Sequence, residues 1–311
     1  HSWQFYRNVI RGCNYAESYG GALYVQAKGG TYHHAWGNYG YDCRNGAGTG
    51  GLTFATGAAQ IDGCFIYSDI NSNKVMVWGN IAEQCGMGFQ VNRMVDCHFV
   101  GNLAIDCGSF GSFTASAGSE SNKALTLAHN TWLWTGRISS SQLQRGPNIG
   151  GDGVGQWESW PVFEVSNQQA GANSQADAKA YQRLVFVNNL AINASGAQMT
   201  GKPMFVYPET RIAAGALLVA GNAAAGLATA VMRDKDSGTD RTLYLRYLAL
   251  LADSAAGASW VAAAKTGVAS PAAGSPLVGA GEPLDKTYVD IGGRNFRLAP
   301  LQPTIGCYEV A

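Results

Sequence analysis

Charge is scarce in this chain. Only 14% of its residues are Asp, Glu, Lys or Arg, and 21 of one sign cancel 21 of the other. A chain without net charge offers no basic surface for nucleic acid and no acidic disordered tail. No 18-residue apolar run occurs, so no membrane-spanning helix is expected. CxxC pairs are missing, which argues against a cysteine metal site, and an odd count of seven cysteines rules out complete disulfide pairing. No helical periodicity develops before about residue 240. There is no Met-initiated signal peptide. The opening HSWQFYRN already lies inside a repeat, which fits a processed chain, or a fragment whose earlier coils lie elsewhere.

What is present is glycine, 41 residues of it, and a repeating unit. Val77-Trp78-Gly79-Asn80-Ile81-Ala82-Glu83-Gln84-Cys85 recurs as Phe99-Val100-Gly101-Asn102-Leu103-Ala104-Ile105-Asp106-Cys107, 22 residues later. Asn8 leads likewise to Cys13, and Asn38 to Cys43; weaker copies centre on Asn130, Asn189 and Asn222. Short β-rich runs separated by Gly, Asn and Asp turns, at a period of tens of residues, predict the coils of a parallel β-helix. Asn suits the left-handed turn conformation, and stacked Asn side chains can bond one another. Cys43, Cys64, Cys85 and Cys107, spaced 21, 21 and 22, read as an interior stack of small apolar residues. The Cys64 coil has Ala59 at the Asn position, and Asp69 offers it an alternative register.

Counting back from each Asn assigns facing, because alternate strand residues point to opposite sides. Three before are Phe5, Ala35, Val77, Phe99 and Leu127, and five before are Trp3, His33, Val75, Cys97 and Leu125. Both columns read as interior, with His33 a satisfied core histidine. The outward columns carry Tyr6, Trp36 and Trp78, then His34, Met76 and His98, then Tyr32, Lys74 and Asp96. Two readings fit this stripe. Flat aromatics beside polar groups suit a sugar ring; equally, a loop or neighbouring subunit covers it. The following strands turn Tyr24, Gln26, Thr53, Gln90, Asn92, Thr114 and Ser116 outward, as a polar groove wall or a wet sheet face.

Residues 136–180 interrupt the repeat with a Gly/Ser/Gln-rich stretch holding Arg137, Arg145, Asp152, Trp157, Glu158 and Trp160. A segment of that length on a rigid scaffold reads as a lid over the stripe, an oligomer contact or a mobile loop. Coils resume at 181–196 and 215–223, and 239–253 (TDRTLYLRYLALLAD) reads as a helix able to cap the open end. The chain is thus read as one all-β domain across 1–311: regular coils to 135, an inserted loop over 136–180, further coils over 181–235, then a helix and closing segment over 236–311.

The tail is Ser275-Pro276-Leu277-Val278-Gly279-Ala280-Gly281, then Asp290-Ile291-Gly292-Gly293-Arg294, then Pro303-Thr304-Ile305-Gly306-Cys307-Tyr308-Glu309. It resembles the closing segment of secreted bacterial right-handed β-helix proteins of the pectin-lyase-like superfamily, in which SPxxxAG, DxxGxxR and PxIGAYE end the chain; Cys307 stands where Ala is usual. The resemblance implies a right-handed parallel β-helix and secretion or a cell-surface location. The superfamily includes pectate, alginate and chondroitin lyases, glycoside hydrolases, epimerases and non-catalytic surface proteins, and no subfamily catalytic motif is present. Fold alone does not fix function.

The leading expectation is a polysaccharide lyase acting on uronic-acid glycans. β-Elimination needs carboxylate neutralisation, a base and an acid. Lys74 or Arg93 would neutralise, His34 or His98 would be the base, and Tyr32 the acid. Tyr6, Trp36, Trp78, Gln90, Asn92, Trp157 and Trp160 would bind substrate. Calcium held by Asp96 or Asp62 is an alternative neutraliser. Hydrolysis wants paired carboxylates, and the stripe offers only Asp96. The competing expectation is a non-catalytic surface, adhesive or self-assembling solenoid, a homo-oligomer or one that pairs with another chain at an uncapped first coil.

Overall fold

The computed structural model describes residues 3–12, 21–25, 32–43, 64–68, 74–115, 124–137, 161–167, 181–195, 203–207, 212–227, 231–234, 240–242, 277–283, 295 and 303–307. Every regular element among them is a strand, and the strands form three sheets. The first sheet holds β1 (Gln4–Tyr6), β4 (His33–Trp36), β7 (Val75–Trp78), β10 (Asp96–Val100), β13 (Ala124–Ala128), β16 (Arg183–Val187) and β19 (Leu217–Ala220), in that order. The second holds β2 (Val9–Arg11), β5 (Tyr39–Tyr41), β8 (Ile81–Glu83), β11 (Leu103–Ile105), β14 (Thr131–Trp134), β17 (Leu190–Asn193) and β20 (Ala223–Ala225). The third runs β3 (Gly21–Val25), β6 (Cys64–Ser68), β9 (Met87–Met94), β12 (Ser109–Ala115), β15 (Phe163–Asn167), β18 (Phe205–Tyr207), β21 (Val231–Asp234) and β22 (Asp240–Thr242). All pairings are parallel except β21 with β22. Successive strands visit the three sheets in turn, an arrangement consistent with a parallel β-helix.

The corner between the first and second sheets is the fixed point of every coil. The residue before each ladder Asn is left-handed, at φ values of 54–63° for Arg7, Gly37, Gly79, Gly101, His129, Asn188 and Gly221. There Asn8, Asn38, Asn80, Asn102, Asn130, Asn189 and Asn222 form a continuous ladder. From Asn38 on, each Oδ1 accepts from the backbone N–H and the Nδ2 of the preceding Asn, as Asn102 does from Asn80 at 3.1 and 3.0 Å. From Asn38 on, each Nδ2 also donates to a carbonyl of the coil before, as Asn102 does to Val77 at 2.9 Å. The ladder spans sequence gaps of 30, 42, 22, 28, 59 and 33 residues, so length varies elsewhere in the coil.

The interior follows the predicted columns from the second coil on; in the first coil Phe5, expected inside, is 41% exposed and Trp3 is only partly buried, because the core residues behind them belong to one neighbouring coil alone. Ala35, Val77, Phe99 and Leu127 are fully buried, as are Cys97 and Leu125, and Phe89, Phe99, Phe110, Phe113, Phe163, Phe186 and Phe205 form an aromatic file between sheets. Cys43, Cys85 and Cys107 share the corner after the second sheet, and Cys107 Sγ lies 3.5 Å from the Ala82 carbonyl. Cys64 departs from the expected stack. It opens β6 in the third sheet, beside Gly21 and Met87. The cause is that Asn38 to Asn80 is one 42-residue coil, not two of about half that size.

Two further differences concern the ends. Phe163–Asn167, inside the stretch read as an insertion, is a regular strand between β12 and β18. Asp240–Thr242, expected to begin a helix, is instead the antiparallel edge strand of the third sheet; residues 243–253 lie outside the described residues. The described tail residues, 277–283 and 303–307, form no strand of the three sheets. Leu277, Ala280, Ile305 and Cys307 cover the outer face of the second sheet against Leu103, Ile105, Leu133, Leu190 and Ile192. It is pinned at the fixed corner: Asn188 Oδ1 accepts from Glu282 N–H at 2.7 Å, and His129 Nδ1 meets the Thr304 carbonyl at 3.0 Å. No helix among the described residues is long and apolar enough to cross a membrane.

Candidate functional site

The outer face of the first sheet carries three rows, each running across the strands. Nearest the fixed corner, Tyr6, Trp36 and Trp78 stack with centroids 4.8 and 4.9 Å apart and planes 6° from parallel. At that spacing the rings cannot lie side by side in one plane, so they stack face to face. Both faces of Trp36 are occupied by its neighbours, and the ladder presents ring edges outward. Arg7 adds a guanidinium 5.5 Å from the Trp36 centroid. Val100 and Ala128 continue the row and are buried.

The middle row is Gln4, His34, Met76, His98, Thr126 and Val185 by strand register. His34 is half-buried, and burial, then the charge of His33, push its pKa down. Its imidazole is therefore neutral at pH 7. His98, expected to face solvent, is only 5% exposed, and Thr126 and Val185 are buried beside it. The row faces outward and is covered at its later strands. His33 points inward and its Nδ1 accepts the Trp3 N–H at 3.2 Å.

The third row, at the corner joining the third sheet to the first, is half-exposed throughout: Tyr32, Lys74, Asp96, Ala124 and Arg183. Here Tyr32, Asp96 and His98 form one cluster. Tyr32 donates to Asp96 Oδ2 at 2.5 Å, His98 Nε2 lies 3.2 Å from Asp96 Oδ1, and the same nitrogen lies 3.2 Å from the Tyr32 oxygen. Burial would raise the Asp96 pKa, but hydrogen bonds from His98 and Tyr32 and the charges of His98 and Arg183 outweigh it and hold the carboxyl low. Burial, then the bond to Asp96, raise the Tyr32 pKa, so the phenol keeps its proton. His98 Nδ1 is buried without a hydrogen-bond partner.

Other expected residues distribute differently. Asn92 and Arg93 lie near the end of β9 in the third sheet, one residue's corner (Val95) before Asp96. Gln90 stands between Tyr67 and Ser112 in register, and its Oε1 is buried without a partner. Ser112, rather than Thr114, aligns with Gln90, and the register shifts only further along, between Phe113 and Ala115. Asp62, Trp157 and Trp160 lie outside the described residues, as does Thr53. For calcium the fit is poor at Asp96: its two oxygens already face His98 and Tyr32, and no group of three or more His, Cys, Asp or Glu occurs among the described residues.

Sequence counting stopped short of two features. Counting back six from Asn189 lands on Arg183. The second sheet carries a carboxylate pair, Glu83 and Asp106, each 2.7 Å from Arg137. Asp106 is fully buried and also accepts from Thr135 N and Oγ1, and Glu83 accepts from Tyr39 at 2.7 Å. With those lone pairs committed, this pair is a staple across coils rather than an acid–base couple. No family model, curated protein or solved structure matches the chain.

Proposed function

We propose that this chain is a secreted polysaccharide lyase of right-handed, pectin-lyase-like architecture that cleaves uronic-acid glycans by β-elimination. The observation that carries the reading is the Tyr32–Asp96–His98 cluster, in the same row as Lys74 and with the neutral His34 two strands from His98. Lys74 neutralises the uronate carboxylate, which acidifies the adjacent ring C5–H. His34 takes that proton through an imidazole lone pair. The C5–H electrons form the C4=C5 double bond, the C4–O4 bond breaks, and the Tyr32 hydroxyl gives its proton to the departing O4. Asp96 and His98 orient the phenol, which regains a proton from water as His34 releases the one it took.

The test is absorbance near 235 nm during incubation with alginate, pectate, chondroitin or hyaluronan, and glucuronan. A rise that His34→Gln and Tyr32→Phe abolish is the expected result. A flat trace on every polymer, without reducing-end release, overturns the reading. It would favour a non-catalytic solenoid, the reading supported by the ring ladder whose faces are already self-stacked.

A further inference from the structure

Arg183 has no role in the mechanism above, yet its placement is unusual. It opens β16 in the same outward row as Asp96, with Ala124 between them in register. The inner residues of these strands, Cys97, Leu125 and Leu184, are fully buried, which fixes Arg183 on the outer side. It is half-buried, and its guanidinium makes no hydrogen bond or ion pair with a described residue. Five N–H donors on a rigid planar fork are thus uncommitted at a partly desolvated position, where a carboxylate is the natural bidentate partner. Ala124 leaves only a methyl group between Asp96 and Arg183, opening a gap one strand wide. The neighbouring middle row, His98, Thr126 and Val185, is buried, so the half-exposed row is a strip along the coil axis. Strands lie about 4.8 Å apart, so Lys74 and Arg183, three strands apart, are separated by about 14 Å.

We propose that Arg183 is a second carboxylate-binding residue, so that a polyuronate chain lies parallel to the coil axis along the Tyr32–Lys74–Asp96–Ala124–Arg183 strip, one uronate at Lys74 and a later one at Arg183. The proposal rests on the lyase reading for its substrate class, and its own content is the direction of the chain and the fork that holds it. The two cations bracket the Asp96 carboxylate, whose charge is already shared with Tyr32 and His98. A uronate in the Ala124 gap would lie between the Arg183 guanidinium and a carboxylate whose hydrogen-bonding capacity is already engaged.

The experiment compares the full chain with Arg183→Gln and Arg183→Lys. Binding of polygalacturonate and alginate oligomers is followed by calorimetry, turnover by absorbance near 235 nm, and folding by melting temperature. For oligomers longer than the span, Arg183→Gln should weaken binding and raise KM by about tenfold to a hundredfold, the range for one hydrogen-bonded charge pair. It should leave kcat within about twofold and the melting temperature unchanged. Arg183→Lys should restore part of the loss, because the charge returns without the fork. Disaccharides, too short to reach from Lys74, should bind both forms alike. Lyase activity with no effect of Arg183→Gln overturns this inference and leaves the lyase reading standing. Binding that Arg183→Gln weakens, without turnover by the parent chain, keeps the strip and overturns the lyase reading. No binding and no turnover on any polyuronate overturns both.

Discussion

Asn102 sits in the middle of the ladder and is fully buried, so its removal measures what the ladder is worth. In Asn102→Ala the Asn80 backbone N–H and one Asn80 Nδ2–H lose their acceptor, while the Val77 carbonyl and Asn130 Oδ1 lose a donor. Asn80 Nδ2 keeps Ala35 and Trp78 carbonyls within 2.9 and 3.1 Å, so the orphaned backbone N–H dominates. A buried donor without a partner costs about 1–3 kcal/mol, and the two weakened carbonyl-side contacts add about 1 kcal/mol, for a total of about 3 kcal/mol. Asn8 is the contrast. It donates to Asn38 Oδ1 at 2.8 Å, it is half-exposed, and no described coil donates to it. Asn8→Ala should cost under about 1 kcal/mol, since water replaces what is lost. Urea melts give the totals. Amide hydrogen exchange gives the local effect: the Asn80 N–H should exchange at least about tenfold faster in Asn102→Ala, a factor equal to about 1.4 kcal/mol. Equal costs at positions 8 and 102, or an Asn80 amide that stays protected, would refute the idea that the ladder is a chain of obligatory buried bonds.

Three further outcomes follow from the packing around His129, Gly40 and the cysteines. His129 is fully buried, with Nδ1 donating to the Thr304 carbonyl and Nε2 accepting from Asn188, and burial pushes its pKa down to about 3. The unfolded chain therefore binds the proton first: stability is complete above about pH 6.5 and is lost as pH falls toward 3, by about 3 kcal/mol between pH 7 and pH 4, and His129→Asn should flatten that part of the melting-temperature profile. Gly40 has no room for a side chain, because an added Cβ would sit 2.0 Å from the Phe65 ring, so Gly40→Ala should destabilise by about 1–3 kcal/mol in urea melts and Phe65→Leu should relieve part of it. Cys43, Cys64, Cys85, Cys97, Cys107 and Cys307 are buried free thiols, with Cys97 pushed up to about 12 by burial; they should resist a thiol reagent at pH 8 until denaturant is added, and prompt reaction of any of them in the folded chain would contradict the packing.

The coil was legible where one residue has one permitted job. The Asn corner demands a left-handed neighbour and a side chain that both donates and accepts, so the Asn spacing located the ladder, and counting back two at a time gave the facing of Val77, Phe99 and Leu127. Counting gives direction but not cover, which is why His98 read as exposed: what buries an outward residue comes from distant chain. Cys64 misled because a spacing of 21 matched the short coils by chance, while its own coil is 42 residues from ladder Asn to ladder Asn. Phe163–Asn167 alternates as a strand should, but five residues in a Gly/Ser/Gln-rich stretch carry too little pattern to stand out. The tail read only as a closing segment, since sequence alone does not say that Leu103, Ile105 and Leu190 leave an apolar outer face for it to cover.

The uneven coil lengths bear on where a site can be built. The ladder fixes the corner between the first and second sheets to the same few atoms in every coil, so an insertion there, or loss of a buried ladder Asn, breaks bonds shared with the neighbouring coils. Length varies instead in the segments that join the other sheets, with ladder gaps ranging from 22 to 59 residues. The row Tyr32, Lys74, Asp96, Ala124 and Arg183 lies at the far end of the first-sheet strands, where the variable segments from the third sheet arrive. There each coil can change its side chain without disturbing a shared bond, while the ladder holds the strand beneath it in register. Chemistry that needs different residues in adjacent coils, a cation, then an acid, then a gap, then a cation, is compatible with that edge and incompatible with the Asn corner.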